Sequence, residues 1–518
     1  MTESQPNVLF LLSDEHSYRC FSSCDDDRGE PVETPTFDRI AETGTNFDQT
    51  YCQMPLCTPS RLCLLTGREV RRCNGWDNDN VLPPDCSTIP ETFGEAGYDT
   101  CLVGKMHLGG NRQFVGFDDR PYGDLTGGTN HQWEPLDRRG GRKIRDRTRD
   151  AGVSEIPESQ LQEYVSTRES LAWVREQEAA SDDPWFLTVS FSRPHFPLTA
   201  PRRYFDRYWD VDRDEPTDLL TEPKVGYEGD TVDHPMTVGA RDGFRTAEVG
   251  EREAQRARAG YFACVEFLDD IVGEFLAALD RDGHLDNTIV VYASDHGELA
   301  GEHGLWWKHT WHEAAARVPF FVQTPEHRTG ERESAKIETP VSLADLFPTL
   351  CGVADVDIPD GLDGTDLSSA VETGAEPDRG PVVCDNLVPR WGTGTEFRMA
   401  RDGEYKYVQF RDAPELLFDL STDSLEQHNL APDASGADRD ALDSLREFVD
   451  ESIDFETAEA ERERDSLLQQ EYALEAETAS PSGSCYLLRD GSVVDADTPL
   501  YDPTVVVDDP AATFDDYP

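Results

Sequence analysis

Four short apolar runs, each ending in charged or histidine side chains, constrain this chain more than any other feature. Asn7 to Ser13 (NVLFLLS) runs into Asp14-Glu15-His16, and Tyr98 to Val103 (YDTCLV) into Gly104-Lys105-Met106-His107. Phe186 to Phe191 ends at Arg193-Pro194-His195, and Asn287 to Ala293 (NTIVVYA) ends at Asp295-His296-Gly297. Continuous apolar runs of this length fit strands buried on both faces, as in a parallel sheet. Helices are expected over 35–45, closed by Gly44, over Ile89–Gly97 with Pro90 early, and over Ala259–Leu279. Strands alternating with helices predict an α/β fold. In open α/β sheets ligands bind at the carboxyl ends of the strands, so the four polar endings predict one convergent site.

At 518 residues the chain exceeds what one core usually serves, and a large and a smaller domain are expected. A Gly/Asp/Pro-rich stretch at 352–381 divides them: an α/β unit over 1–380, a C-terminal unit over 381–475, and an acidic tail over 476–518. In the C-terminal unit, Phe397 to Phe410 reads as two strands around an Asp402-Gly403 turn, Leu416 to Leu420 as a third, and 437–475 as a charged helix. The tail carries one hairpin signal at Asp490-Gly491. A long irregular insert at 108–165 carries an arginine-rich run at 138–149, expected as a loop paired with the protein's own acidic surface rather than a lid over an anionic substrate. The loop-rich 197–242 is expected to form a rim.

The net charge is −57, from 104 acidic and 47 basic residues spread along the whole length. Such a surface stays soluble in high salt and points to a halophilic host. It excludes a nucleic-acid partner. The twelve cysteines show no paired C-x-x-C spacing, no run is long enough to span a bilayer, and no secretory signal is visible. A cytoplasmic protein with reduced thiols and no membrane partner is expected.

Cys57-Thr58-Pro59-Ser60-Arg61 fits a C-x-P-x-R pattern and continues to Arg68 as LCLLTGR. This stretch resembles the active-site signature of the type I sulfatases of the alkaline phosphatase superfamily. VGKMHLGG around Lys105, RPHFP around His195, GLWWKHTWHEAAARVPF around Lys308 and LFDLSTDSLEQHNL near 417–430 are also similar to that family. The pairing of DEH at 14–16 with GKMHLGG and SDHGELAGEHGLWWKHT most resembles its choline-sulfatase and phosphonate-monoester-hydrolase branch. The resemblance implies a mostly parallel central sheet flanked by helices, with a smaller C-terminal α+β subdomain built on an antiparallel sheet. It also implies hydrolysis of a small-molecule sulfate monoester. Cys57 would be converted to formylglycine by a formylglycine-generating enzyme.

The same resemblance assigns the site residues. Asp14, Glu15, residue 57, Asp295 and His296 would hold one divalent metal ion. Cys57, Arg61, Lys105, His107, His195 and Lys308 would be catalytic: His195 or Lys308 protonates the departing alcohol, and His107 removes the remaining hydroxyl proton. Asn78, Lys105, His195 and Lys308 would meet the substrate. Glu15 stands where Asp is more frequent and His296 where many members have Asn. Carboxylates favour Ca²⁺, and the imidazole suits Mn²⁺ better, so Ca²⁺ is the first expectation and Mn²⁺ the second. Lys105 and Lys308 are two of only six lysines, in a chain that otherwise uses arginine. A compact point charge able to donate a proton explains their retention. His303, His309 and His312 are expected in recognition or structure rather than as ligands.

Two alternatives stand beside the sulfatase. One is a phosphonate monoester hydrolase or phosphodiesterase on the same scaffold; the other is a catalytically silent anion- or metal-binding relative in which Cys57 stays a thiol. The alcohol of the ester (choline, a sugar or an aryl group) and the oligomeric state are left open by the sequence.

Overall fold

The computed structural model describes residues 5–24, 29–109, 113–123 and 148–479, and the strand pair Cys485–Leu487 and Val493–Asp495. Its centre is an eight-stranded sheet. In chain order the strands are β1 (Asn7–Asp14), β2 (Thr45–Phe47), β3 (Asp99–Gly104), β4 (Asp119–Gly123), β5 (Trp185–Pro194), β6 (Thr288–Ser294), β7 (Phe320–Gln323) and β8 (Ala335–Ile337). In space they run β8-β2-β7-β6-β1-β5-β3-β4. All are parallel except β7, which lies antiparallel to both of its neighbours.

The four apolar runs that dominate the sequence are therefore β6, β1, β5 and β3, four consecutive central strands. Pairing register does the rest. Asn7 to Ser13 lie in register with Thr288 to Ser294, so Asp14 and Asp295 emerge side by side. Asp14 pairs with Pro194 on the other flank, which brings up His195, and Gly104 pairs with Ser190, which brings up Lys105.

Alternation along β1 supplies both layers of the core. Val8, Phe10 and Leu12 pack with Leu62, Leu64 and Leu65 of α2 (Cys57–Thr66) and Phe93 of α3 (Ile89–Glu95). Leu9 and Leu11 pack on the opposite face with Phe37 of α1 (Pro35–Thr43), Trp173 of α4 (Gln162–Ala180) and Phe275 of α6 (Glu251–Asp282). Between α4 and α6 lies α5 (Pro235–Phe244). The helix expected over 259–279 is longer at its start because Glu253 accepts the Gly250 N–H at 2.8 Å, capping a polar first turn.

The C-terminal sheet is antiparallel with four strands, β9 (Val382–Asn386), β10 (Phe397–Asp402), β11 (Tyr405–Phe410) and β12 (Leu416–Asp419). The hairpin around Asp402-Gly403 and the strand at 416 are as expected. β9 is an addition: its five residues, VVCDN, directly follow the Gly/Asp/Pro-rich linker. The single helix expected over 437–475 is two, α7 (Ala437–Ser452) and α8 (Phe455–Ala479). Asp454 accepts the Thr457 N–H at 3.2 Å and so starts a new helix, an N-cap that competes with continuation. Phe397, Met399, Phe418 and Val449 join the same buried cluster as Val8, Phe10 and Leu62, so the two sheets share one apolar core.

Residues 138–147 of the arginine-rich run, and the turn at Asp490-Gly491, lie outside the described residues. Arg149, at the end of that run, pairs with Glu253 at 3.2 Å, and the strands flanking 490–491 pair antiparallel. Cys20, Cys24, Cys52, Cys57, Cys63, Cys73, Cys86, Cys101, Cys264, Cys351 and Cys384 are free thiols. No helix among the described residues is long and apolar enough to cross a membrane.

Gly104 joins β3 to Lys105 at φ +101°, and a Cβ there would lie 1.9 Å from the Ser190 carbonyl oxygen. Gly104→Ala is expected to cost at least about 2 kcal/mol, because the left-handed backbone and the close approach both penalise it; urea unfolding measures the loss. The His303 and His312 rings lie 4.1 Å apart at a tilt of 37°, both buried. Burial holds His303 down to about 3 and depresses His312 as well. The unfolded chain takes up protons below about 6.5 where the folded chain does not. Stability is thus present above that pH and lost as pH falls below it. From pH 7.5 to 5.5 at constant salt each histidine should remove about 1 kcal/mol, and His303→Gln should flatten the slope.

Candidate active site

Cys57 is the first residue of α2, at a helix N-terminus where unpaired N–H groups and the helix dipole favour negative charge. Pro59 fits two positions on because its missing N–H falls among the unbonded first turn. Gly67, at φ +60°, closes the helix through its N–H on the Cys63 carbonyl. The Cys57 Sγ lies 3.3 Å from Lys308 Nζ, 3.3 Å from His296 Nε2 and 3.8 Å from Asp14 Oδ1, and it hydrogen-bonds the His107 side chain. Burial alone would push the thiol up, but Lys308, Lys105 and His296 hold it well below its ordinary range.

One helical turn on, Arg61 is fully buried and organises the floor of the site. Its Nε donates to Asp295 Oδ2 at 2.7 Å and its Nη2 to Asp14 Oδ2 at 3.0 Å. Its Nη1 donates to the Lys105 carbonyl at 2.8 Å and to Ser190 Oγ at 3.0 Å. The guanidinium thus ties α2 to the ends of β1, β3, β5 and β6. The guanidinium lies beneath the site, against the two carboxylates. Lys105 Nζ adds a second cation 2.5 Å from Asp14 Oδ2. Burial raises Asp14, yet Lys105, His195 and Arg61 outweigh it and keep this carboxylate ionised.

Donor atoms of Asp14, Cys57, Asp295 and His296 lie within 4.8 Å of one another, all buried. Two carboxylates, an imidazole and residue 57 form a donor set that fits a divalent cation. Glu15 falls in a second, overlapping group with Asp14 and His195. Its carboxylate is 3.3 Å from Lys308 Nζ and 3.5 Å from His195 Nε2, and burial raises it strongly. His195 is kept neutral by burial and by the nearby Lys105 and Lys308.

Nine of the residues singled out in the sequence meet around Cys57 in this way. Asn78 acts one step away: its Oδ1 accepts the Thr58 N–H at 3.1 Å and its carbonyl accepts the Thr58 hydroxyl at 3.2 Å. Three residues escaped the sequence reading. Ser190 anchors Arg61, the Ser60 hydroxyl donates to the Asp295 carbonyl, and Glu298 accepts the Ala300 and Trp307 N–H groups at 2.7 and 2.6 Å. Ser190, a hydroxyl inside the apolar run FLTVSF, was the one visible signal.

Comparison with known proteins agrees with this geometry. The model of the sulfatase family matches residues 6–356. A second, described as N-sulphoglucosamine sulphohydrolase, C-terminal, matches 301–447. A choline-sulfatase of Rhizobium meliloti is 31% identical over 475 residues, covering 89% of each chain. An arylsulfatase of Clostridium perfringens is 29% identical over 397 residues, covering 71% of this chain and 79% of its own. The solved phosphonate monoester hydrolase of Agrobacterium radiobacter shares the fold, with a TM-score of 0.70 at 24% identity over 95% of this chain and all of that one. With its signature cysteine heading α2 among the ends of four parallel strands, the chain belongs to the sulfatase family.

Proposed function

We propose that this protein hydrolyses a small-molecule sulfate monoester to an alcohol and inorganic sulfate, with residue 57 as nucleophile after conversion of Cys57 to formylglycine by a formylglycine-generating enzyme. One observation carries the reading: a buried Cys57 at a helix N-terminus, with Lys308 at 3.3 Å and a carboxylate–imidazole donor set beside it. Asp14, residue 57, Asp295 and His296 would hold the divalent metal, Ca²⁺ first and Mn²⁺ second, with Glu15 beside them; formylglycine supplies the attacking hydroxyl and the metal neutralises oxyanion charge.

The chain's own residues carry the rest. Lys308, 3.3 Å from residue 57, and the nearby Lys105 would meet the oxygens of the ester group, where preorganised cations stabilise charge that grows in the transition state. Arg61 fixes the two carboxylates rather than the substrate. Neutral His195 and the charged Lys308 face the same space, either able to move a proton to the departing alcohol oxygen. His107 bonds residue 57 and is placed to take its remaining proton. Asn78 steadies the first turn of α2 beside the substrate side. In this reading the chemistry belongs to the unit 1–380, with 381–475 as its C-terminal subdomain and 476–518 as a tail. Free thiols and the charge of −57 suit the cytoplasm of a high-salt cell.

A phosphonate monoester hydrolase is the second reading, favoured by the shared fold with such an enzyme and by cations that suit either anion. A panel of 4-nitrophenyl sulfate, 4-nitrophenyl phosphate and a phenylphosphonate monoester separates the two. The sulfate ester should be turned over with the highest kcat/KM, and a preference for the phosphonate overturns the sulfatase assignment. In protein made with the modifying enzyme, the peptide containing residue 57 should carry the mass of an aldehyde or its hydrate, and Cys57→Ala should abolish turnover. Arg61→Lys loses the planar fork that joins Asp14 to Asp295. It should lower kcat about a hundredfold, as expected when the reacting groups shift by about 1 Å.

A further inference from the structure

Lys308 stands on a turn whose two flanking residues are both in left-handed backbone, Trp307 at φ 63° and His309 at φ 72°. Residues with a Cβ are strained there and keep that conformation only where surrounding bonds over-determine it. The bonds are present. Trp307 N–H donates to Glu298 at 2.6 Å and His309 N–H to the Pro55 carbonyl at 3.0 Å, both within the catalytic unit. The His309 carbonyl accepts two more donors, Asn386 Nδ2 at 3.3 Å and the Trp391 indole N–H at 3.0 Å. Both of these come from the C-terminal sheet: Asn386 ends β9, and Trp391 lies in the connection from β9 to β10.

Trp391 is itself seated in a recess made for it. On α5, a Cβ at Gly239 would fall 1.9 Å from the Trp391 carbonyl oxygen, and one at Gly243 would fall 2.3 Å from its ring. Phe244, the last residue of α5, meets Trp391 edge-on at 4.6 Å and Trp307 at 5.1 Å. One residue before Trp391, Arg390 pairs with Asp77 at 2.6 Å, and Asp77 accepts the Asn78 N–H at 2.8 Å. The connection therefore spans the site from the Asn78 side to the Lys308 side.

We infer that the β9–β10 connection is a strap that sets the position of Lys308, with Trp391 and Asn386 as positioning residues acting through the His309 carbonyl. This rests on the sulfatase reading, in which Lys308 meets the ester oxygens. Because neither residue touches the reacting atoms, their loss should misplace a charge needed most in the transition state. It should therefore fall on kcat rather than KM.

The test uses the full chain, formylglycine-modified, with 4-nitrophenyl sulfate. Trp391→Phe removes the indole N–H together with part of the ring, and Asn386→Leu removes the other donor while leaving Trp391 in its recess; in each, kcat should fall about tenfold, the effect of one lost hydrogen bond, with KM within about threefold. Gly239→Ala keeps the N–H but displaces the strap, and should reproduce the fall in kcat. A Trp391→Phe enzyme with kcat within about twofold of the parent overturns the inference. So does a change confined to KM, which would make the strap a substrate contact, or a loss of kcat that follows loss of folded protein. An inactive parent would count against the sulfatase reading alone, since the strap is judged by the ratio of variant to parent.

Discussion

The buried fork between Arg61 and the carboxylates of Asp14 and Asp295 is the contact on which the rest of the site depends. Two like charges at adjacent strand ends repel, and burial in a low-dielectric interior magnifies that repulsion. A planar, permanently charged guanidinium between them turns the repulsion into a fixed spacing. Because Arg61 also reaches the Lys105 carbonyl and Ser190, the same side chain sets the height of α2 above four strands. The position of Cys57 is thus a consequence of charge balance in the sheet edge as well as of helix geometry.

That balance explains the distribution of cations in so acidic a chain. The surface is dominated by Asp and Glu, while Arg61, Lys105 and Lys308 are gathered under or around Cys57 in full or nearly full burial. Each is paired with a carboxylate, as buried charges must be. A similar solution joins the two sheets. Lys406 of β11 bonds Glu313 at 2.9 Å and Glu426 at 2.7 Å, and Glu313 begins five residues after Lys308. The C-terminal sheet therefore approaches the Lys308 segment twice, by this ion cluster and by the strap, over a core the two sheets share.

Much of this was legible from residue order, for identifiable reasons. A strand buried on both faces must be apolar throughout, so β1, β3, β5 and β6 stood out, and the charged residues ending them marked the site edge. The C-x-P-x-R stretch, the segment around Lys105 and the segment around Lys308 carried the family. Less was visible where a local choice depended on a partner. The break at Asp454 is a competition between helix continuation and a cap, and β9 is a strand only because β10 lies ready to pair with it.

Residue order thus settles the parallel sheet, the C-x-P-x-R stretch and the set of residues available for chemistry, because periodicity and short-range motifs are local properties. Only tertiary structure decides their roles. In-register pairing of β1 with β6 sets Asp14 against Asp295; burial sends Arg61 beneath the carboxylates and gathers Glu15 with Lys308 and His195. Two glycines on α5, unremarkable in the sequence, make room for a tryptophan some 150 residues later. Contacts of that range depend on how chain segments pack, and no local pattern encodes them.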